Sequence, residues 1–357
     1  MSFNRLAPED FVVSSDSITA TLWSDGAVAL SSFYSSSTQE AGSSGNFYLN
    51  VYQTASNDPS AEIQFAIAYG NKKGSGSAFY NTAVVGVSPT KTTYSQYQNL
   101  ILGDENTDFI FGNITSSEFW ALSIDRTRYK ESLFPGSLIL RLSGSNGQLT
   151  LTDNSQVTPS ITFNDAGRVF QLVSGSQGTV FTGVNSNGYS VSSGSYGWVL
   201  PDIGTILLNP LALSASISLA SSQSYNSDGL NNRAILNALN RPSIPYFQLN
   251  SQETISSNYI FIRARNAEFN YSENPSFISG STGEVVFNSF INNPQTFPTT
   301  VGLYNDNNEL LAVAKLSRPL LKDFTKEALV RVKLDFWPII NFYIFIIIVI
   351  EKLNGSL

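Results

Sequence analysis

The chain contains no histidine, no cysteine and one methionine, and charged residues make up only 13% of its 357 positions. Each shortage excludes something. Without His or Cys, no Ser-His-Asp or Cys-His arrangement can be built, and no thiolate or imidazole can hold a metal. Acid–base work is confined to carboxylates, Lys and Tyr. Stability cannot rest on disulfides. The charged fraction is about half the usual share. Ser, Thr, Asn and Gly take its place and give a polar, weakly ionic surface that needs little desolvation on assembly.

Hydrophobic residues make up 42%, which indicates a globular chain with room for two or three domains. The net charge is −7, unevenly spread. Lys315, Arg318, Lys322, Lys326, Arg331 and Lys333 face only Asp323 and Glu327 within their segment. That stretch reads either as a solvated strand pair or as a docking edge for an acidic partner. An acidic chain disfavours nucleic-acid binding. The opening MSFNRLAPEDFVV has no apolar h-region. No secretion is expected, and the sequons at Asn113 and Asn270 then carry no weight.

Periodicity favours strands. In 46–53, Phe47, Leu49 and Val51 alternate with Tyr48, Asn50 and Tyr52, and 61–69 repeats the pattern after an Asp58-Pro59 turn. GNKKGSGSA after it reads as an exposed loop. Trp120, Leu122 and Ile124 alternate, as do Leu138, Leu140 and Leu142 beyond a Pro135-Gly136 turn. Short strands are expected at QLTLT, SITF, RVFQLV and GTVFTGV, separated by Gly-containing turns. Helices are expected over 92–102 and 230–240, the second with Asp228 as N-cap and Pro242 beyond its end. A second β region covers 256–271, GEVVFNSFI, TTVGLY, ELLAVAKL and EALVRVKLDF. Strand 310–315 is apolar on both faces and reads as covered on both sides. In the closing strand, Leu329, Arg331, Lys333 and Asp335 alternate with Val330, Val332, Leu334 and Phe336.

Candidate chemistry is sparse. Gly74-Ser75-Gly76 completes no phosphate-binding motif. Tyr304–Glu309 has oxygen ligands but lacks the sharp-turn Gly of a calcium loop, and reads as a hairpin. The carboxylate groups Asp104, Glu105, Asp108 and Glu268, Glu273 leave a glycosidase pair open, although exposed turn carboxylates are far commoner. IDRTRYKE reads as a charged strand, with Arg126, Arg128 and Lys130 projecting one way. It is a solvent-facing defended edge or a contact with an acidic subunit. No catalytic, cofactor or metal residue is assigned.

Several long stretches resemble a virion structural protein of T-even-type, contractile-tailed phages of marine cyanobacteria. They are FNRLAPEDFVVSSDSITATLWS (3–24), QEAGSSGNFYLNVYQTAS (39–56), RYKESLFPGSLILRLSG (128–144), 167–204, NYIFIRARNAEFNYSENPSF (258–277) and 302–336. The resemblance implies a particle component of the tail or baseplate, located in the virion and assembled in the host cytoplasm, with other virion proteins as partners. A homo-oligomer or symmetric assembly is expected, with no cofactor and no catalytic residues to carry over. The family pattern ends near Phe336. Residues 337–357 begin with an apolar run, interrupted by Pro338 and Asn341, that is too short to span a bilayer comfortably. They read as a β-prone read-through extension after a lost stop or, alternatively, as a membrane-contacting tail at 337–350.

The fold class is therefore mainly β: antiparallel β-sandwich or meander domains with few short helices. The expected divisions are an N-terminal β domain at 1–145, a Ser/Gly-rich β segment with one helix at 146–250, a C-terminal β domain at 251–336, and the tail. The expected function is structural, acting through protein–protein interfaces, with Arg126, Arg128, Lys130, Arg331 and Lys333 as the candidate contact residues. The alternative is a receptor- or polysaccharide-binding tail fibre with carboxylate-based glycan hydrolysis.

Overall fold

The computed structural model describes residues 3–35, 48–76, 88–157, 161–181, 196–223, 230–271, 276–305, 307–336 and 347–352. In chain order the strands begin β1 (Phe3–Arg5), β2 (Phe11–Thr21), β3 (Ala29–Leu30), β4 (Tyr34–Ser35), β5 (Tyr48–Tyr52) and β6 (Ile63–Asn71). After helix α1 (Pro89–Leu102) come β7 (Phe109–Phe111), β8 (Ile114–Ser116), β9 (Glu118–Ile124), β10 (Ser132–Leu133), β11 (Ile139–Gly144), β12 (Gly147–Asp153), β13 (Thr162–Asn164), β14 (Gly167–Ser176) and β15 (Thr179–Val180). Then follow β16 (Gly197–Leu200), β17 (Thr205–Leu208), α2 (Pro210–Ile217), α3 (Leu230–Asn240), β18 (Phe247–Gln248) and β19 (Asn250–Ala264). The chain closes with α4 (Asn288–Asn292), β20 (Pro298–Tyr304), β21 (Leu310–Lys315), β22 (Ala328–Phe336) and β23 (Ile347–Lys352). At 44% strand and 17% helix, the fold is mainly β, as the alternation predicts.

Two compact units divide the chain: Ile18–Glu253, and Met1–Ser17 with Thr254–Leu357. The expected boundary at 145/146 falls instead inside the turn of a hairpin, where β11 pairs β12 from Leu140↔Leu151 to Gly144↔Gly147.

In the first unit, one antiparallel sheet runs β3-β18-β11-β12-β14-β16-β17-β9-β6-β5-β4, with β13 and β15 attached to β14. Strand β9 shows why it is buried on both faces. Trp120, Leu122 and Ile124 enter a core with Phe65, Ile67, and Ile235 and Leu239 of α3. The intervening Phe119 and Ala121 enter a second core with Tyr94 and Ile101 of α1. Helices therefore cover opposite faces of the sheet. Opposite Phe119 stands Gly70 on β6, where an added Cβ would lie 2.7 Å from the Phe119 ring, so the ring occupies the space that a side chain would need.

Helix α1 opens with Pro at its first position and ends at left-handed Gly103, whose N–H donates to the Asn99 carbonyl at 3.2 Å. Helix α3 covers the expected 230–240, while its proposed cap Asp228 lies outside the described residues. The β14–β15 hairpin turns on Gln177 and Gly178, both at positive φ, as a two-residue turn matched to strand twist requires.

The other unit packs two sheets around a small core. β22 and β2 flank β19 in one sheet, and β1-β23-β20-β21 form the other. Ile260, Ile262 and Val332 meet Val301 and Leu303 between them. Strand β23 places Ile347–Lys352 between β1 and β20 by backbone pairing. Residues 337–346 and 353–357, which hold the rest of the expected tail, lie outside the described residues. Among the described residues no helix is long and apolar enough to cross a membrane.

Three expectations fail here. Strand β21 is not covered on both sides: Leu310 is 52% exposed, Leu311 46% and Val313 58%. It is the terminal strand of its sheet. GEVVFNSFI forms an isolated Ile278↔Val285 bridge and the short α4 rather than a strand. The loop after β6 is not fully exposed either: Gly74 and Gly76 are buried, and Asn71 Oδ1 accepts the Lys73 N–H at 2.9 Å.

Candidate interaction surface

The charged strand expected at 124–131 does not exist. β9 stops at Ile124, and the Asp125 carboxylate accepts the Thr127 N–H at 2.9 Å and its hydroxyl at 2.5 Å. That local Asp-x-Thr turn outcompetes strand alternation and winds Arg126–Arg128 into a 3-10 turn. The three cations therefore share no face. Arg126 folds back to donate to the Tyr129 and Lys130 carbonyls and lies 4.6 Å from the Tyr129 ring centroid. Arg128 pairs with Glu62 at 2.7 Å, and Lys130 with Glu253 at 3.4 Å. They tie loops within their own unit instead of lining one strand face.

Arg331 and Lys333 are placed differently. Antiparallel pairing sets Tyr259 opposite Lys333 and Phe261 opposite Arg331, so these four side chains share one face of the β19–β22 ladder. Arg331 and Lys333 are exposed, while Tyr259 and Phe261 are half-buried. The Tyr259 ring centroid lies 5.6 Å from the Arg331 guanidinium carbon and 5.9 Å from Lys333 Nζ. Lys333 also pairs with Asp335 at 3.1 Å, and Ser257 donates to the same carboxylate oxygen at 2.7 Å. The Ser257 hydroxyl and then Lys333 hold Asp335 below the usual carboxylate range, and Asp335 in turn raises Lys333. Arg331 has no carboxylate partner among the described residues. Leu329, at the end of the same row, is 66% exposed.

The basic segment around this ladder is less available than its charge suggests. Lys326 pairs with Asp323 at 3.4 Å, and Lys322 is fully buried. Lys322 Nζ donates to the carbonyls of Asn266 at 2.9 Å and Asp323 at 3.0 Å, and to Asn270 Oδ1 at 3.0 Å. Asn270 itself is only 5% exposed, so its sequon points inward. Sequence periodicity does not reveal this site. The available signal was a charged pair, Lys322-Asp323, set between Leu321 and Phe324.

The carboxylate groups sit in local structure. Asp104 accepts from Asn106 N–H at 3.0 Å and the Thr107 hydroxyl at 2.7 Å, which lower its pKa. Asp108 pairs with Lys72 at 2.6 Å, and Glu268 accepts the Arg265 N–H at 2.9 Å. Glu273 lies outside the described residues. In the Tyr304–Glu309 turn, Asn305 Oδ1 accepts the N–H groups of Asn307 and Glu309, as a hairpin requires, while Asp306 lies outside the described residues. A buried polar network not read from the sequence gathers on Glu118. Tyr69, Ser221 (2.8 Å) and Gln223 (2.9 Å) all donate to its Oε2. Among the described residues no group of three or more acidic side chains could hold a metal ion.

No family model, curated protein or solved structure matches this chain.

Proposed function

We propose that the chain is a structural component of a contractile-tailed phage particle, of tail or baseplate type, acting through protein–protein contacts and not through catalysis. The observation that carries this reading is the β19–β22 face. Two exposed cations stand beside half-buried aromatic rings on rigid paired strands, with an exposed leucine in line. Such a surface suits an acidic, partly apolar neighbour: the cations steer and align it, and the rings and Leu329 gain burial on contact. The terminal strand β21 of the other sheet, apolar and open, supports packing against a further protein surface. The sequence stretches quoted above supply the particle type.

The test is location. Mass spectrometry and cryo-electron microscopy of purified particles should find the chain and fit its many-stranded curled sheet at a symmetric position. Absence from infectious particles would overturn the assignment. Glycan-array binding with release of oligosaccharide would favour the tail-fibre reading instead.

A further inference from the structure

A lysine inside an apolar region is costly unless its charge is answered or given up. Lys322 has no exposed surface and borders a pocket lined by Ile262, Ala264, Phe269, Val301, Leu316 and Leu320. The three groups that accept from its Nζ are uncharged: two backbone carbonyls and the Asn270 side-chain amide. The same amide donates its Nδ2 to the Asn266 carbonyl at 2.5 Å, and that carbonyl also accepts Lys322 Nζ. Amine and amide are thus held side by side on one acceptor, shielded from water.

We propose that Lys322 and Asn270 join in an intramolecular isopeptide bond, with Lys322 Nζ displacing the Asn270 side-chain nitrogen as ammonia. Nζ lies 3.0 Å from Oδ1. A carbonyl bond of about 1.2 Å then limits its separation from Cγ to about 4.2 Å. Near-attack separation is about 3–3.5 Å, so a small swing of the amine suffices. The step balances without an oxidant or co-reactant. The ammonium first loses a proton to become a neutral amine. Nζ then forms a bond to Cγ, the Cγ–Nδ2 bond breaks, and one proton passes from Nζ to Nδ2, which leaves as ammonia.

Two features favour this course. Burial is the larger influence on Lys322 and lowers its pKa, against the opposing charges of Asp323, Glu268 and Glu327. Glu268, two residues from Asn270, acts on Nζ through its charge, and in this scheme it carries the proton between the nitrogens. Asp323 is unsuited to that task, since Thr325 holds it ionised with two hydrogen bonds of 2.8 and 2.6 Å. The product would tie the loop after β19 to the segment that enters β22. A chain without cysteine would thereby gain a covalent brace.

Intact-mass measurement of the purified full-length chain tests the proposal. The wild type should be lighter than its sequence by one ammonia, and digestion should release a branched peptide joining the 270 and 322 regions. Lys322→Arg and Glu268→Gln should both restore the full mass, with circular dichroism showing that each remains folded. Full mass in folded wild type would overturn the proposal. So would an ammonia deficit that persists in Lys322→Arg, because it would indicate cyclisation at asparagine without the lysine.

Discussion

The two units bury their apolar residues to different degrees. In Ile18–Glu253, the central strand β9 has Phe119, Trp120, Ala121 and Leu122 without exposed surface, and helices close both faces of the sheet. In the other unit, five buried apolar residues form the core among the described residues, and Val12, Val13, Leu310, Leu311, Val313 and Leu329 remain at least 46% exposed. The larger unit also leaves apolar side chains open, Phe163 and Ile244 among them, but it sets them against a far larger core. The difference that the structure shows is one of core size, and the proposed contact face lies in the unit with the smaller core.

The sharpest way to break that contrast is to remove its anchors. Trp120→Ala takes away a fully buried indole, whose N–H donates to the Asn231 carbonyl at 3.0 Å. It should cost the Ile18–Glu253 unit about 3–5 kcal/mol. Val332→Asp would bury a carboxylate in the smaller core and should cost about 3 kcal/mol or more. Scanning calorimetry should resolve two transitions, the smaller-core unit melting first, and each substitution should lower only its own transition. A single shared transition lowered equally by both would erase the distinction.

A smaller effect should appear at high pH. Burial, and then the charge of Asp108, pushes Tyr94 up to about 12. Its folded pKa lies above the ordinary value of about 10, so its contribution is fully present below pH ~10 and is lost as pH rises towards 12. Tyr69 is raised in the same direction, by burial and then by Glu118. Alkaline titration, followed by phenolate absorbance and circular dichroism, should show late ionisation coupled to loss of structure in the Ile18–Glu253 unit. Tyr94→Phe should weaken that coupling, and early ionisation of all tyrosines without unfolding would contradict it.

The smallest change in stability should follow Arg331→Ser with Lys333→Ser, since both groups are exposed. Incorporation into particles should nevertheless weaken, and its salt dependence should flatten. A double variant that enters particles like the wild type would show a merely solvated face.

Local chemistry made much of the fold legible before any coordinates. Leu230, Ala234, Ile235, Ala238 and Leu239 mark α3 by helical spacing, and Leu49, Val51, Phe65 and Ile67 mark the β5–β6 hairpin by alternation. Helix α2 was missed because its residues are nearly all apolar or small and give no amphipathic stripe. Asn209 accepting the Leu211 N–H at 3.1 Å, with Pro210 at the first helical position, was the available signal. Alternation also misled. It made a strand of Arg126–Lys130, where a side-chain turn was stronger, and it read β21 as covered because apolar pattern alone cannot distinguish burial from an open edge. For the proposed contact surface, Arg331 and Lys333 were readable from β22 alone. Their aromatic neighbours were not, since Tyr259 and Phe261 lie some seventy positions away and meet them only through register. The Lys322–Asn270 pair was hidden for the same reason.

The division of the chain also sets a timetable. The Ile18–Glu253 unit is continuous, whereas Met1–Ser17 belongs with residues beyond Thr254. During synthesis at about 5–20 residues per second, the first strands emerge and then wait tens of seconds or less for their partners. Over that interval the larger unit can finish folding, while β1 and β2 remain unpaired with their final neighbours. For that time β2 lacks its partner strand β19, so its backbone N–H and C=O groups stay open to other strands.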